Sequence, residues 1–344
     1  MTKKDFYSFI KKIPKCEIHI HAEGVISRSL VSKMISRENP VYKNMKEVDK
    51  LFSYNNLKEF IKVFLLIQKS FQKPSDFDGL FANIAAYLKK NGIIYSEMFF
   101  SPSLFVKNGW DFDQLMEIII KNVRKIYLKD KIQIKIIIDV SRTFGVENAK
   151  NNVMSVLRYM KNGEFIGIGL GGDEKKGPAE MFSEVFKMAK KNGLHRVVHA
   201  GEDVGPESVR SAIKKLDAER IGHGISSIKD KSLMKLLAEK RIPLEICPTS
   251  NIFTKKFVKK IEDHPIKPFY DNKILVTCNT DDPTFFKVNL IDEYWNLHSK
   301  LGFSMEDIKQ IIINGFTASF LSKEKKKESI KKVNDAWNKY YTKK

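Results

Sequence analysis

Eight short runs of apolar and β-branched residues recur along the chain, and longer amphipathic segments separate several of them. Such runs are typical of buried strands, and we predict strands at residues 16–21, 94–100, 132–140, 165–170, 196–200, 220–223, 242–247 and 274–279. Strands that alternate with helices form parallel sheets. Eight such units predict an α/β fold, the closed (β/α)8 TIM barrel. An open doubly wound sheet would carry a glycine-rich phosphate turn after its first strand, and the sequence has none there.

Two regions exceed the strand–helix repeat. Between the first and second predicted strands, apolar residues recur at helical spacing: Leu57, Phe60, Ile61, Phe64, Leu65 and Ile67. This spacing predicts a helical insertion at the barrel mouth, with its phenylalanines packed into the core more than facing a ligand. Beyond residue 304, two extra amphipathic helices are predicted. Because no linker-like segment interrupts the sequence, we expect residues 1–344 to form a single domain.

Histidines and acidic residues cluster where the predicted strands end. His19 and His21 share one face of the first strand, because side chains two residues apart in a strand point the same way. Further polar side chains follow the fifth, sixth and eighth strands: His199, Glu202, His223, Asp281 and Asp282. The carboxyl-terminal face of a TIM barrel is where active sites form. The pattern therefore predicts an active site at this face.

Four of these side chains form a suitable ligand set for one zinc ion: His19, His21, His199 and Asp281. Imidazole nitrogen and carboxylate oxygen suit this cation, and a catalytic zinc also binds a water and lowers its pKa towards neutrality. Glu202 and His223 remain as acid–base candidates, with Asp282 as an adjacent carboxylate. In an alternative interpretation, Asp281 and Asp282 form the N-cap of a helix, which leaves the histidine cluster unexplained.

The amino-acid composition indicates which binding partners and which cellular compartment to expect. The formal net charge of +20 raises the question of nucleic-acid binding, but only nine of the 61 basic residues are arginine and no nucleic-acid-binding motif is present. We therefore expect a solvated lysine-rich surface and no specific nucleic-acid partner. No apolar run is long enough for a membrane span, and the N-terminus lacks a signal core. Three cysteines in apolar segments indicate reduced thiols, so we expect a cytoplasmic protein.

Six segments resemble, in this order, the motifs of the adenosine deaminase family. They are residues 14–21 (Pro-Lys-Cys-Glu-Ile-His-Ile-His), 167–174 (Gly-Ile-Gly-Leu-Gly-Gly-Asp-Glu), 199–202 (His-Ala-Gly-Glu), 222–224 (Gly-His-Gly), 247–251 (Cys-Pro-Thr-Ser-Asn) and 279–283 (Asn-Thr-Asp-Asp-Pro). The resemblance covers nearly the whole chain, and the insertion is similar to that family's helical lid. It implies hydrolytic deamination of a 6-aminopurine nucleoside in purine salvage. The Pro-Cys-x-x-Cys signature of cytidine and nucleic-acid base deaminases is absent.

The resemblance also implies a role for each site residue. One zinc ion per chain would be bound by the four ligands named above, and zinc-bound hydroxide would attack C6 of the purine. Glu202 would protonate ring N1, His223 would orient and deprotonate the attacking water, and Asp282 would hydrogen-bond the hydroxide and ring N7. The backbone N–H of Gly172 would reach ring N3, where a side chain is unwelcome. Glu23 would meet the ribose 5′ side.

Three segments depart from the family pattern. The family's His-Leu-Asp-Gly is His-Ala-Glu-Gly at residues 21–24, its Gly-Ile-Asp-Leu is Gly-Ile-Gly-Leu at 167–170, and its Glu-Val-Arg-Tyr-Ser-Pro is Glu-Met-Phe-Phe-Ser-Pro at 97–102. These changes leave the 6-amino chemistry untouched and affect the sugar side. The nucleoside-like Gly-Gly-Asp-Glu at 171–174 favours adenosine. Adenine, methylthioadenosine and aminodeoxyfutalosine remain alternative substrates.

Two rival functions are weighed against this one. A dinuclear amidohydrolase needs a bridging carbamylated lysine at the end of the fourth strand, and the chain has no lysine there before Lys175. A non-catalytic nucleoside-binding protein is the alternative from a different class. Such a protein would not need Glu202 and His223 beside a metal.

Overall fold

The computed structural model describes residues 1–54, 57–254 and 256–341. In these ranges eight strands form one sheet in chain order, and every neighbouring pair is parallel. The strands are β1 (Lys15–His21), β2 (Ile93–Phe100), β3 (Gln133–Ser141), β4 (Phe165–Gly171), β5 (His195–Ala200), β6 (Arg220–His223), β7 (Leu244–Ile246) and β8 (Val276–Cys278). The predicted (β/α)8 barrel is confirmed, and each strand lies at its predicted position.

The barrel closes beside a predicted metal ligand. Asp281, just beyond β8, forms an isolated parallel bridge with Ile20 of β1. The N–H of Asp281 donates to the carbonyl of His19 at 3.2 Å, and its carbonyl accepts from the N–H of His21 at 2.9 Å. The side-chain oxygen of Asn279 accepts two further backbone N–H groups of β1, at 3.1 and 3.2 Å. The closing bridge therefore fixes the backbones of three predicted ligands next to one another.

Helices connect the strands, and several begin at side chains that cap their free N–H groups. Asp111 and Ser304 are examples, accepting from the N–H groups of Gln114 and Asp307. The helices are α1 (Lys3–Ile10), α2 (Arg28–Ile35), α3 (Met45–Leu51), α4 (Leu57–Lys69), α5 (Pro74–Asn91), α6 (Pro102–Lys107), α7 (Phe112–Asp130), α8 (Gly145–Val156), α9 (Ser183–Lys191), α10 (Pro206–Leu216), α11 (Lys231–Glu239), α12 (Pro248–Thr254), α13 (Ile266–Asp271), α14 (Pro283–Phe286), α15 (Leu290–Lys300), α16 (Met305–Ala318) and α17 (Lys323–Tyr340).

The insertion between β1 and β2 contains α2 to α5, and the predicted amphipathic stripe belongs to α4. Phe60 and Phe64 of α4 lie half-buried against Phe285, with ring centroids 5.5 and 5.4 Å away. Both rings pack against the edge of the core, over the segment that follows β8, whereas Ile61 of the same predicted stripe is 37% exposed. The side chain of Leu57, part of the same predicted stripe, lies outside the described residues. The two helices predicted beyond residue 304 are α16 and α17.

Most buried apolar side chains form one continuous core. A small separate cluster consists of Phe99, Ile137 and Val197, from β2, β3 and β5. Phe99 also contacts the ring of His21, with centroids 5.1 Å apart. This cluster therefore extends from the apolar packing of the strands to the polar groups at their ends. Within the described parts of the chain, no helix is long and apolar enough to cross a membrane.

Candidate active site

The structure brings the four predicted ligand residues together at the carboxyl end of the barrel. Ligand atoms of His19, His21, His199 and Asp281 all lie within 4.8 Å of one another. Nε2 of His21 is 3.4 Å from Nε2 of His199 and 3.3 Å from Oδ1 of Asp281. Nε2 of His19 is 3.6 Å from the same oxygen. Four donor atoms from three different parts of the chain thus surround one point.

The chemistry of these donor atoms fits a divalent metal ion. Nδ1 of His19 is 2.7 Å from the carboxylate of Glu245, while Nε2 is buried and has no hydrogen-bond partner among the described residues. A histidine that donates its Nδ1 proton to a carboxylate presents a free lone pair on Nε2, as metal-ligating histidines usually do. Ser250 donates to Oδ2 of Asp281 at 2.7 Å, which leaves Oδ1 facing the histidines.

A second set of ligand atoms meets the same distance criterion and shares His19 and Asp281 with the first. It replaces the other two histidines with His223 and Cys247. Burial raises the pKa of the Cys247 thiol well above its ordinary value. Because the thiolate is the form that binds metals, this set is the weaker one.

The two acid–base candidates lie beside the ligand cluster. Nε2 of His223 is 3.5 Å from Oε2 of Glu202 and 4.0 Å from Oδ2 of Asp281. Burial raises the pKa of Glu202 well above its ordinary value, and the carboxylates of Asp281 and Glu174 raise it further. Burial lowers the pKa of His223 to about 3. The raised pKa favours the protonated form of Glu202, and the lowered pKa favours the neutral form of His223.

A chain of three buried hydrogen bonds determines which nitrogen of His223 carries the proton. The N–H of Ile266 donates to Nδ1 of His264 at 3.2 Å. Burial lowers the pKa of His264 to about 3, so this ring is neutral, its proton is on Nε2, and Nε2 donates to Oδ1 of Asn251 at 3.2 Å. The amide nitrogen of Asn251 donates to Nδ1 of His223 at 2.9 Å. His223 therefore carries its proton on Nε2, facing Glu202.

Glu174 holds the turn that presents Glu202. Its carboxylate accepts the backbone N–H groups of Gly201, Glu202 and Asp203 at 2.8, 2.9 and 2.8 Å. The hydroxyl of Ser208 donates to the same carboxylate. Glu174 belongs to the Gly-Gly-Asp-Glu segment at residues 171–174, and its role in holding this turn was not predicted. An acid four residues beyond the predicted fourth strand, directly after Asp173, was the available signal.

Asp282 precedes α14, but its side chain makes no capping hydrogen bond. One of its oxygens, Oδ1, is buried without a hydrogen-bond partner in the part of the chain that the structure describes. A Cβ on Gly24 would clash with this oxygen, so the glycine makes room for it. The N-cap interpretation of Asp281 and Asp282 is therefore unsupported, since neither side chain caps the helix.

The two predicted substrate contacts lie at the same end of the barrel. Oε1 of Glu23 accepts from the N–H of Ser101 at 3.1 Å and from Gln68 of α4 at 3.0 Å. Its Oε2 is buried and has no hydrogen-bond partner among the described residues. Gly172 follows β4 with φ +90°, a conformation that favours glycine. A hydrogen bond thus joins the insertion directly to Glu23.

Known proteins resemble the chain over nearly its whole length. The adenosine deaminase family model matches residues 14–336. The chain is 34% identical to an adenosine deaminase of Clostridium kluyveri, with 92% of each chain covered. It is 33% identical to an aminodeoxyfutalosine deaminase of Streptomyces avermitilis, covering 93% of this chain and 90% of the other. It is also 33% identical to an adenine deaminase of Wolinella succinogenes, covering 94% and 98%.

Solved structures share the fold. An adenine deaminase from Arthrobacter aurescens superposes with a TM-score of 0.89 at 24% identity, covering 95% of this chain and 99% of the other. An amidohydrolase from Burkhoderia ambifaria with bound zinc superposes with a TM-score of 0.87 at 21% identity, covering 97% and 94%. The family match and the sequence relatives show that the chain belongs to the adenosine deaminase family and is a hydrolytic deaminase of the adenosine, adenine or aminodeoxyfutalosine type.

Proposed function

We propose that the chain hydrolyses adenosine to inosine and ammonia, with one zinc ion as its cofactor. The observation that carries this proposal is the site itself. Four metal-ligand atoms lie within 4.8 Å of one another, and the carboxyl group of Glu202 lies next to them, 3.5 Å from Nε2 of His223. The relatives named above support 6-aminopurine deamination as the reaction class. The zinc bound by the structural neighbour and the nitrogen and oxygen ligands of this chain support zinc as the metal.

Each side chain of the site has a separate task in the proposed reaction. A bound zinc ion would supply a water whose pKa is lowered towards neutrality. Glu202, whose raised pKa favours its protonated form, would donate its proton to ring N1 and make C6 more electrophilic. His223, with its proton on Nε2, would orient the attacking water as a hydrogen-bond donor. That tautomer cannot accept a proton at the same nitrogen. In place of His223, which the sequence predicted as the base, the unpartnered oxygen of Asp282 would therefore take the water's proton, since burial and the carboxylate of Asp281 raise the pKa of Asp282. Asp282 would pass this proton to the 6-amino group, which leaves as ammonia when the C6–N bond breaks, and the proton of the new C6 hydroxyl would return to Glu202.

Glu23 supports a nucleoside as the substrate, whereas Gly172 supports any purine, because free adenine also carries ring N3. Glu23 has an open buried oxygen beside the metal cluster, in the position that the family resemblance gives to the ribose 5′ side. Gly172 leaves the backbone after β4 free of a side chain, so its N–H can approach ring N3. Adenine, methylthioadenosine and aminodeoxyfutalosine must be tested beside adenosine, because relatives of similar sequence identity are named as deaminases of different substrates.

The test is a side-by-side assay of these four compounds with zinc-loaded protein. We expect ammonia release and the ultraviolet change of a 6-aminopurine becoming a 6-oxopurine, with adenosine giving the largest kcat/KM. Turnover of adenine alone would overturn the choice of adenosine, and no turnover of any of the four would overturn the proposed function. Metal analysis should give one zinc per chain. Two metal ions per chain would favour the dinuclear rival.

We also propose that the protein works in a reducing compartment such as the cytoplasm. All three cysteines are buried and unpaired: Cys16, Cys247 and Cys278. Free buried thiols are usual where glutathione and thioredoxin keep cysteines reduced. Fractionation of the source cells would test this proposal, and recovery outside the cytoplasm would contradict it.

A further inference from the structure

Asp139, near the carboxyl end of β3, is a buried acid that the proposed reaction does not use. Its side chain is 4% exposed. Ser101 donates its hydroxyl to Oδ2 at 3.1 Å, while Oδ1 has no hydrogen-bond partner among the residues that the structure describes. A buried polar atom is costly when it stays unpaired. The unpartnered oxygen therefore indicates a partner other than the described residues of the chain.

Two glycines of the neighbouring strand β4 create the space for this carboxyl group. A Cβ on Gly169 would lie 2.7 Å from Oδ1 of Asp139, and a Cβ on Gly171 would lie 2.8 Å from Oδ2. Gly169 pairs directly with Asp139 in the sheet. It also occupies the place where the family pattern has aspartate. In this chain the carboxyl group of Asp139 on β3 thus occupies the space beside position 169 of β4, where the family pattern has an aspartate.

Ser101 connects Asp139 to the residue assigned to the sugar side. Its backbone N–H donates to Oε1 of Glu23 at 3.1 Å, and its hydroxyl donates to Oδ2 of Asp139 at 3.1 Å. Each carboxyl group then keeps one buried oxygen without a partner in the described structure: Oε2 of Glu23 and Oδ1 of Asp139. The sugar side of the site therefore contains two buried, unpartnered carboxyl oxygens on either side of one serine.

Three side chains beside these acceptors already donate hydrogen bonds within the chain. Gln68 and Ser101 donate to the two carboxyl groups. Arg142 is the guanidinium whose charge acts on Asp139, and it donates to three backbone carbonyls at 2.7, 3.0 and 2.9 Å. A phosphate or carboxylate placed here would meet acceptors and no free arginine fork, whereas hydroxyl groups would find acceptors.

We infer that Asp139 is a specificity-determining residue, which together with Glu23 accepts hydrogen bonds from the sugar hydroxyls of a neutral nucleoside and excludes an anionic 5′ substituent. This inference rests on the proposed deaminase function and narrows its substrate to uncharged ribonucleosides. It also explains the departure at Gly169, because an aspartate there would collide with the carboxyl group of Asp139.

The test compares zinc-loaded native protein with Asp139→Asn, using adenosine, adenine and AMP. The amide has nearly the same shape but presents a donor in place of one acceptor. We expect kcat/KM for adenosine to fall about 10- to 100-fold, the range for losing a hydrogen bond to a charged group. The loss should appear mainly in KM, because sugar contacts bind substrate and transition state alike. Adenine turnover should stay within about threefold, since adenine has no sugar.

A matched control is Asp130→Asn, just before the other end of β3, where Asp130 pairs with Lys89 on the surface. It should leave all three substrates unchanged. A second measurement uses 5′-deoxyadenosine and 3′-deoxyadenosine to identify which hydroxyl Asp139 binds. For the compound that lacks this hydroxyl, kcat/KM should be about tenfold or more lower than for adenosine in the native protein, and little changed in the variant. Adenine turnover by Asp139→Asn at nearly the native rate also shows that the site of the variant is folded.

The outcomes separate this inference from the proposed function. The inference is supported if kcat/KM of the native protein for AMP is at least about 100-fold lower than for adenosine, and if Asp139→Asn loses activity on adenosine but not on adenine. AMP turned over as well as adenosine, or equal losses on adenine and adenosine in the variant, overturns it while deamination stands. If the native protein turns over no 6-aminopurine, both fail.

Discussion

Replacing Glu245 with glutamine should weaken metal binding although Glu245 touches no metal. In the native protein its Oε2 is 2.7 Å from Nδ1 of His19, and its Oε1 is 2.5 Å from Nε of Arg220. All three side chains are essentially buried. The carboxylate orients the His19 ring and increases the basicity of its Nε2, the atom that faces the ligand cluster.

The magnitude follows from these contacts. A glutamine oxygen can still accept from His19, but the bond changes from charge-assisted to neutral, which costs about 1–2 kcal/mol. That difference corresponds to roughly 5- to 30-fold weaker metal binding, at about 1.4 kcal/mol per factor of ten. The lower end of the general range for outer-shell partners, 10- to 100-fold, overlaps it. The glutamine NH2 group also faces the donor of Arg220, so the unfolding free energy should fall as well.

The assay is a competition for zinc between the protein and a chelator of known affinity, with unfolding measured in parallel. The control is Glu97→Gln, because Glu97 binds Arg220 from the other side and does not touch His19. Both variants should lose stability, but only Glu245→Gln should lose zinc affinity directly. Equal zinc affinity in native protein and a folded Glu245→Gln would refute the reasoning, as would equal losses in both variants.

Three further predictions concern the site and its support. Glu202→Gln should lower kcat about 10²–10⁴-fold, the usual value of a general acid, and native activity should fall as pH rises through the raised pKa of Glu202. Asn251→Leu should lower kcat about tenfold or more by freeing the ring of His223, and ¹⁵N spectra of labelled histidine should show the loss of its single tautomer. Burial lowers the pKa of Lys15 to about 7 from 10.5, so the folded chain binds fewer protons than the unfolded chain in this interval. The unfolding free energy relative to Lys15→Met should therefore rise by up to about 1.4 kcal/mol per pH unit between these values, measured by urea unfolding across pH, and a flat difference would contradict the assignment.

The sequence predicted the strands and their polar ends because both signals are local. Runs such as residues 132–140 identify a strand by composition alone, and His19 and His21 identify its face by spacing. The positions that the sequence analysis missed depend on pairing between distant strands. Asp139 matters because Gly169 lies beside it in the sheet. Its signal was an acid within an apolar run, which a single strand cannot assign to any partner.

The same limit applies to the support of His19 and His223. Glu245 lies 226 residues from His19 in the chain, and His264 reaches His223 only through Asn251. Each is an ordinary polar residue in its own segment. Only the closed barrel, in which β7 lies between β6 and β8, makes them neighbours of the site. Motif order predicts which residues would react, while the barrel determines which residues hold them in place.

The closure of the barrel and the assembly of the site are one structural event. Asp281 has φ 66° and His223 has φ 62°, a region that non-glycine residues rarely adopt. Each such conformation costs about 1–3 kcal/mol and persists only where neighbouring structure enforces it. For Asp281 the enforcement is the closing bridge to β1, with hydrogen bonds to the backbones of His19 and His21. Because these bonds need no metal, folding alone holds an acidic ligand beside two histidines before any ion binds, at a cost in stability. We therefore expect metal affinity to depend on barrel closure.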